Sequence, residues 1–124
     1  MMIGHTPVER RPLSEAERNL VEWLLAHGGP GAAKYKSQVI HLHVVSMCGC
    51  GCPTVDFALQ SGRKVGASEI VSEAGGTTPE GVSVGIILHA REGELSELEV
   101  YSTSGLDVSF TLPRSEVLEA YDWE

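Results

Sequence analysis

All three cysteines of the chain lie within five residues, in the run Met47-Cys48-Gly49-Cys50-Gly51-Cys52-Pro53. Thiolates are soft ligands for zinc and copper(I), and the glycines between them allow the backbone to fold several sulfur atoms around one ion. One interpretation is therefore a metal site. The spacing differs from the two-residue gap of zinc fingers and ribbons, so zinc is a candidate cofactor that the pattern does not require.

A zinc ion bound here needs a fourth ligand. His41 and His43 are close in sequence, and His89 lies on a separate predicted strand. In a continuous strand, His41 and His43 point to the face opposite Cys48 unless a β-bulge reverses the alternation. The candidate metal ligands are Cys48, Cys50, Cys52, His41 and His43.

Two other interpretations of the cysteines stay open. Cys48 and Cys50 suit thiol redox chemistry, in which one thiol attacks and its neighbour resolves the mixed disulfide. However, no Lys or Arg lies within ten residues of Cys50 to activate a thiol. The simpler interpretation is that Gly49 and Gly51 form a tight turn while the cysteines act as small buried apolar groups. Ordinary cysteine usage favours this last interpretation.

No catalytic pattern stands out elsewhere. Four glutamates between residues 92 and 99 offer neighbouring carboxylates of the kind a glycosidase uses, yet the acidic rim of a hairpin explains them equally well. The run Gly75–Thr78 lacks the lysine of a phosphate-binding loop, and no Gly-x-Ser-x-Gly sequence occurs. We therefore expect a binding or interaction domain and not an enzyme.

One helix is strongly predicted. Ser14 and Glu17 have the spacing of a capping box ahead of an apolar run, and the apolar residues that follow recur at the helical period. These features predict an amphipathic helix over residues 14–27, with Gly28 as a left-handed C-terminal cap. Pro30 then favours a second, short helix over residues 32–38.

In most of the remaining chain, apolar and polar residues alternate as they do in strands. In the predicted strand over residues 54–60, Val55, Phe57 and Leu59 are predicted to face inward and Asp56 outward. Residues 75–81 are predicted as a loop, and a short helical tail is predicted up to Ala120. The predicted strands cover residues 39–47, 54–60, 68–74, 82–90, 95–102 and 108–112.

The connections between these strands are short, so neighbouring strands must be antiparallel. The sequence therefore predicts the α+β class, with a mainly antiparallel, up-and-down sheet of five to six strands and the N-terminal helix packed on one face. Residues 1–12 are predicted as a flexible arm, and residues 13–124 as a single domain, which suits a chain of 124 residues.

The net charge and the hydrophobic content limit the classes of partner that the protein is expected to bind. A net charge of −8 repels phosphate backbones and anionic lipid heads, which argues against nucleic acid and membrane partners. The hydrophobic content of 42% is ordinary for a folded domain, and no apolar stretch has the length of a membrane span or a secretory signal. We expect a cytoplasmic protein that binds another protein or forms a homo-oligomer.

A resemblance rests on four segments: Leu13-Ser14-Glu15 at the start of the predicted helix, Leu20-Val21-Glu22-Trp23-Leu24-Leu25 within it, the Cys48–Pro53 run, and Leu95–Tyr101. With these segments the chain resembles a family of small uncharacterised bacterial proteins that have a Cys-Gly-Cys-Gly-Cys-Pro motif. The resemblance spans residues 13–113. It implies a bacterial cytosolic setting and assigns a role to no residue.

Overall fold

The computed structural model describes residues 5–29, 31–48, 52–59, 66–103 and 109–120. Within these ranges the chain forms one α-helix, two 3-10 helices and seven strands. The helices are α1 (Glu15–His27) and the 3-10 helices Ala32–His41 and Ser115–Val117. The strands are β1 (His5–Pro12), β2 (His43–Cys48), β3 (Val55–Ala58), β4 (Ser68–Thr77), β5 (Ser83–Arg91), β6 (Glu94–Ser102) and β7 (Glu119–Ala120).

The strands form one sheet in the order β1-β2-β3-β6-β5-β4-β7, and every described pair is antiparallel. This confirms the predicted α+β class. The predicted up-and-down order is wrong at two places, because β3 pairs with β6 and not with β4, and the last strand, β7, pairs with β4 and not with β6. Alternation along a strand shows which face is apolar, but it does not show which distant strand will pair with it.

Helix α1 begins as predicted. The Glu17 backbone N–H donates to Ser14 Oγ at 3.1 Å, and the Ser14 N–H donates to Glu17 Oε1 at 2.8 Å. Leu20, Val21 and Leu24 are almost fully buried and belong to the core. The helix packs on β4 and on the first 3-10 helix, so it covers the apolar side of the sheet.

Gly28 does not have the predicted left-handed conformation. Its φ of −80° and ψ of 179° are extended. A Cβ at this position would lie 2.8 Å from the Ala32 Cβ and 2.9 Å from the Leu24 carbonyl oxygen, so glycine is needed for the close approach of the two helices. The left-handed residue is Gly31, with a φ of +89°, which precedes the 3-10 helix.

The predicted short helix exists but is longer than expected. It continues to His41, so β2 begins at His43 and not at Val39. Val39 is buried within this helix. A short apolar run does not by itself distinguish a buried helix from a strand, which explains the error.

The N-terminal segment also differs from the prediction. Where an arm was predicted over residues 1–12, His5–Pro12 is a strand that pairs with β2 at the sheet edge. Arg11 reaches from it to α1 and donates to both carboxylate oxygens of Glu17, each at 2.9 Å. Burial alone would raise the pKa of Glu17, but the hydrogen bonds from Arg11 and from the Ser14 backbone lower it below its ordinary value.

The predicted strands over residues 82–90 and 95–102 correspond to β5 and β6, which pair as an antiparallel hairpin. Its turn places Glu92 and Gly93 at φ values of 48° and 80°, as a two-residue turn between antiparallel strands requires. On the face toward α1, β5 and β6 contribute Val84, Ile86, Leu88, Leu98 and Val100 to the core.

Three predicted features of the C-terminal half need correction. Gly75–Thr77 belongs to β4 and not to a loop, since it pairs with β5. Ser109–Leu112 is not a strand, although Phe110 is buried against the core. The helical tail is a single 3-10 turn followed by β7. The alternation of Phe110 and Leu112 with polar residues therefore reflects how an irregular segment packs on the core, and not a strand.

The prediction that Asp56 faces solvent is wrong. Its relative exposure is 2%, and the Ser46 hydroxyl donates to its carboxylate. A β-bulge between Val44 and Ser46 sets Ser46 opposite Asp56 on the neighbouring strand. The bulge therefore supplies the carboxylate with a buried hydrogen-bond donor.

Among the helices of the described ranges, none combines the length and the apolar composition that crossing a bilayer requires.

Candidate functional site

The cysteine run connects β2 to β3, and a backbone hydrogen bond closes this connection. The Cys48 N–H donates to the Thr54 carbonyl oxygen at 3.1 Å. Cys48 ends β2, and Cys52 lies just before the strand that returns. Cys50, Gly49 and Gly51 lie outside the described residues. The hydrogen bond thus brings the two described cysteines to the same end of the hairpin.

Thr54 anchors this connection to the central strand β6. Its hydroxyl accepts a hydrogen bond from the Val100 N–H at 2.9 Å and donates to the Val100 carbonyl at 3.1 Å. The Cys52 thiol also donates to the Thr54 hydroxyl oxygen, at 3.5 Å. Because Thr54 is only 4% exposed, these bonds lie in the interior and hold Cys52 against a rigid part of the sheet.

An open depression of about 490 Å³ lies in front of the two cysteines. Met47, Cys48 and Cys52 are among the residues that line it. The rest of the described lining is mostly apolar: Ala16, Pro53, Phe110, Thr111 and Leu112. We call this surface the thiol depression.

Both described cysteines are half-buried and not enclosed. Cys52 packs partly against the hydrophobic core, which agrees with the interpretation of the cysteines as small apolar groups, although neither described cysteine is fully buried. The described lining holds no lysine, arginine or histidine that would activate a thiol for exchange. A metal ion needs no such neighbour, because a coordinating thiol loses its proton to the metal's charge.

The first turn of α1 borders the thiol depression through Ala16. The backbone N–H groups of Ser14 and Glu17 at this end are already bonded within the capping box. These two donors are therefore not free to bind a ligand in the depression.

His41 and His43 lie at the other end of β2 from Cys48. His41 is the last residue of the 3-10 helix, and its carbonyl oxygen lies 3.2 Å from Nδ1 of His43. The bulge in β2 places His43 and Cys48 on the same face, but the five steps between them span roughly 17 Å at about 3.3 Å per residue. The structure does not bring these histidines to either of the two described cysteines.

His89 is also engaged elsewhere. Its Nδ1 lies 2.9 Å from Ser68 Oγ and its Nε2 lies 2.7 Å from Glu99 Oε1, across three neighbouring strands. Both ring nitrogens therefore have partners on the sheet face opposite α1. Within the described ranges, no three His, Cys, Asp or Glu side chains are grouped so that they could hold one metal ion.

Two residues beside the cysteines were not singled out from the sequence. Met47 directly precedes the cysteines and lines the depression, but methionine is usually a core residue and its type gives no signal of this position. Thr54 alternates like an ordinary strand residue, and nothing local signals its bonds to Val100, which is 46 positions away. Phe110 and Leu112 complete the wall only after the chain has folded.

Comparison of the chain with protein-family models, with curated proteins and with solved structures finds no match.

Proposed function

We propose that this chain is a binding protein that holds a thiophilic metal ion in the thiol depression, and not an enzyme. The observation that carries the proposal is that Met47, Cys48 and Cys52 line one open depression whose described walls are otherwise mostly apolar. Soft sulfur donors select zinc or copper from the common metals. The proposed location is the reducing cytosol, which keeps thiols available as ligands.

The closed geometry of the connection supports this role. The hydrogen bond from Cys48 to Thr54 and the Thr54–Val100 pair hold the two described cysteines in place before any ligand arrives. Preorganised donors bind more tightly, because less conformational freedom is lost on binding.

A protein partner or self-association was the first expectation from the sequence. The large apolar side chains exposed in the described ranges lie on separate elements: Ile40 on the first 3-10 helix, Ile70 on β4, Tyr101 on β6 and Val117 on the second 3-10 helix. Single exposed apolar side chains are ordinary on protein surfaces. The geometry therefore favours the thiol depression over a docking surface.

The test is metal loading of the reduced protein without oxygen. The chain is incubated separately with zinc(II) and with copper(I), desalted, and analysed for metal by elemental analysis. We expect about one equivalent of at least one ion, and its loss in the double variant Cys48→Ser, Cys52→Ser.

The matched control is the double variant His41→Gln, His43→Gln, which removes two metal-ligand side chains at the other end of β2. It should retain the metal. Failure of the unaltered protein to retain either ion, or equal retention by the cysteine double variant, would refute the proposal.

A further inference from the structure

We propose that Ser68 is a site of covalent modification, whose hydroxyl accepts an acyl group from an activated ester. His89 acts as the general base, and Glu99 orients the ring of His89. The three residues lie on the neighbouring strands β4, β5 and β6, on the sheet face opposite α1. They are separate from the thiol depression, so the modification goes beyond the proposed metal binding and does not depend on it.

The hydrogen bonds of His89 determine which ring nitrogen can act as a base. Its Nε2 lies 2.7 Å from Glu99 Oε1, and its Nδ1 lies 2.9 Å from Ser68 Oγ. An ionised carboxylate only accepts hydrogen bonds, so the neutral ring carries its proton on Nε2 and a lone pair on Nδ1. The Ser68 hydroxyl therefore donates to Nδ1, and this nitrogen is positioned to take the hydroxyl proton.

The same three roles define the triad of serine hydrolases, with one difference. There the serine bonds to Nε2 of the histidine and the carboxylate to Nδ1, whereas in this chain the two nitrogens exchange partners. Either nitrogen of a neutral imidazole can accept a proton while the other donates to a carboxylate. The exchange therefore preserves the chemistry of the triad.

Strand register holds the three side chains together. Ser68 lies opposite Arg91 and Glu99 lies opposite Ile87, so both are diagonal neighbours of His89, which is between them on β5. Diagonal neighbours on one sheet face are within reach of long side chains. The His89 side chain is only 14% exposed, whereas Ser68 is exposed. A reagent therefore reaches the nucleophile, while the base is largely shielded from water.

Arg91 and Ile70 indicate the class of reagent. Arg91 lies opposite Ser68, and its Nη1 donates to the Gly66 carbonyl oxygen at 2.8 Å. A guanidinium has five N–H donors, so Arg91 keeps donors for an oxygen that becomes negative beside Ser68. Ile70 lies opposite His89 and is half exposed, which provides an apolar surface next to the site. We assign a carboxylic ester with a short apolar acyl group.

The proposed step is a single ester exchange. The Ser68 Oγ attacks the carbonyl carbon of the ester, and the hydroxyl proton passes to Nδ1 of His89. The new oxygen–carbon bond forms, the bond to the leaving oxygen breaks, and His89 gives the proton to that oxygen. No oxidant or reductant takes part. The product is an ester of the protein itself, so the step adds a modification site and not turnover.

The experiment treats the folded protein with p-nitrophenyl acetate and follows acetylation by peptide mass spectrometry. Ser68 lies in the tryptic peptide 65–91, which contains no cysteine or lysine, and Ser83 in the same peptide is an internal control. Ser83 is exposed, but its hydroxyl bonds to Thr103 and not to a histidine. General-base catalysis contributes about 100-fold or more, so we expect Ser68 to be acetylated at least about 100-fold faster than Ser83.

Ser68→Ala should abolish the fast acetylation, and His89→Gln should reduce it to the rate at Ser83. Glu99→Gln should slow it at least about tenfold, because the amide no longer favours one tautomer of His89. The matched control is Glu73→Gln, which removes a carboxylate from the same sheet face and should leave the rate unchanged. Circular dichroism checks that each variant is folded.

A tautomer measurement separates positioning by Glu99 from a merely structural effect. The nitrogen NMR spectrum of His89, assigned by its loss in His89→Gln, should place the ring proton on Nε2 in the unaltered protein. In Glu99→Gln it should show both tautomers, and an unchanged spectrum would remove the role of Glu99. If His89→Gln does not fold, the ratio of Ser68 to Ser83 acetylation in the unaltered protein decides.

Equal acetylation of Ser68 and Ser83, or an unchanged rate in a folded His89→Gln variant, would overturn the modification site. Neither result would affect the metal proposal, since no residue is shared. Conversely, a chain that retains no metal could still be acetylated at Ser68, so the two proposals fail independently.

Discussion

At the scale of single residues, Thr54 has the largest structural effect on the site. One buried hydroxyl satisfies both the N–H and the carbonyl of Val100 and also accepts from the Cys52 thiol. Buried backbone groups without a partner are costly, so this hydroxyl stabilises the sheet and the cysteine connection together.

We expect Thr54→Val to destabilise the protein by about 2 kcal/mol, because it leaves the Val100 N–H and carbonyl buried without partners. Thr54→Ser keeps the hydroxyl and removes one methyl group, so it should cost about 0.8 kcal/mol. Urea unfolding followed by circular dichroism measures both. If the valine variant proved as stable as the serine variant, the Thr54 bonds would not have the importance assigned to them.

At the scale of elements, the contact between β1 and α1 depends on the ion pair of Arg11 with Glu17. Glu17 also completes the capping box with Ser14, so one buried carboxylate fastens the edge strand and begins the helix. The sequence predicted the capping box because Ser14 and Glu17 lie three positions apart along the chain. It did not predict Arg11 as a partner, since that pairing exists only once β1 has joined the sheet.

Glu17 makes stability depend on pH. Its pKa in the folded protein is lowered, so its contribution is fully present above the ordinary carboxyl pKa of about 4.3 and is lost as the pH falls through the lower folded value. Glu17→Gln should destabilise the protein by about 1–2 kcal/mol at pH 7 and by less in acid.

The control for Glu17→Gln is Glu22→Gln, an exposed position on α1. It should change the free energy of unfolding by less than about 0.5 kcal/mol at either pH. Chemical unfolding at pH 7 and at pH 3 provides the comparison. A Glu17→Gln effect that is equal at both values would contradict the assigned cause.

At the scale of the whole molecule, the end of β2, the residues just before β3, the first turn of α1 and the segment around Phe110 meet at the thiol depression. An ion bound there should stabilise the entire fold, since it binds the folded chain and not this assembled site in the unfolded one. The depression is thus a tertiary feature and not a property of the cysteine run.

We expect the retained ion, zinc(II) or copper(I), at about 100 times its dissociation constant to stabilise the protein by about 2.7 kcal/mol, which raises the melting temperature by roughly 10 °C. The measurement is an oxygen-free thermal melt followed by circular dichroism, with and without that ion. The Cys48→Ser, Cys52→Ser double variant should show no rise. A similar rise in that variant would place the ion elsewhere.

The sequence by itself determined the elements whose signals are local. The capping box began α1, the helical period identified its buried face, and the turn at Glu92 and Gly93 joined β5 to β6. The clustering of the cysteines at a strand connection was also visible, because it depends only on order along the chain. The α+β class followed from these elements and their short connections.

Only the tertiary structure decided what depends on distant residues. The pairing of β3 with β6, the burial of Asp56 and the strand at His5–Pro12 all require partners far away in sequence. For the same reason the histidines near the cysteines in sequence lie at the other end of β2, while Phe110 and Leu112 form the wall. Side chains meet where strands pair and elements pack, and that information is spread over the whole chain.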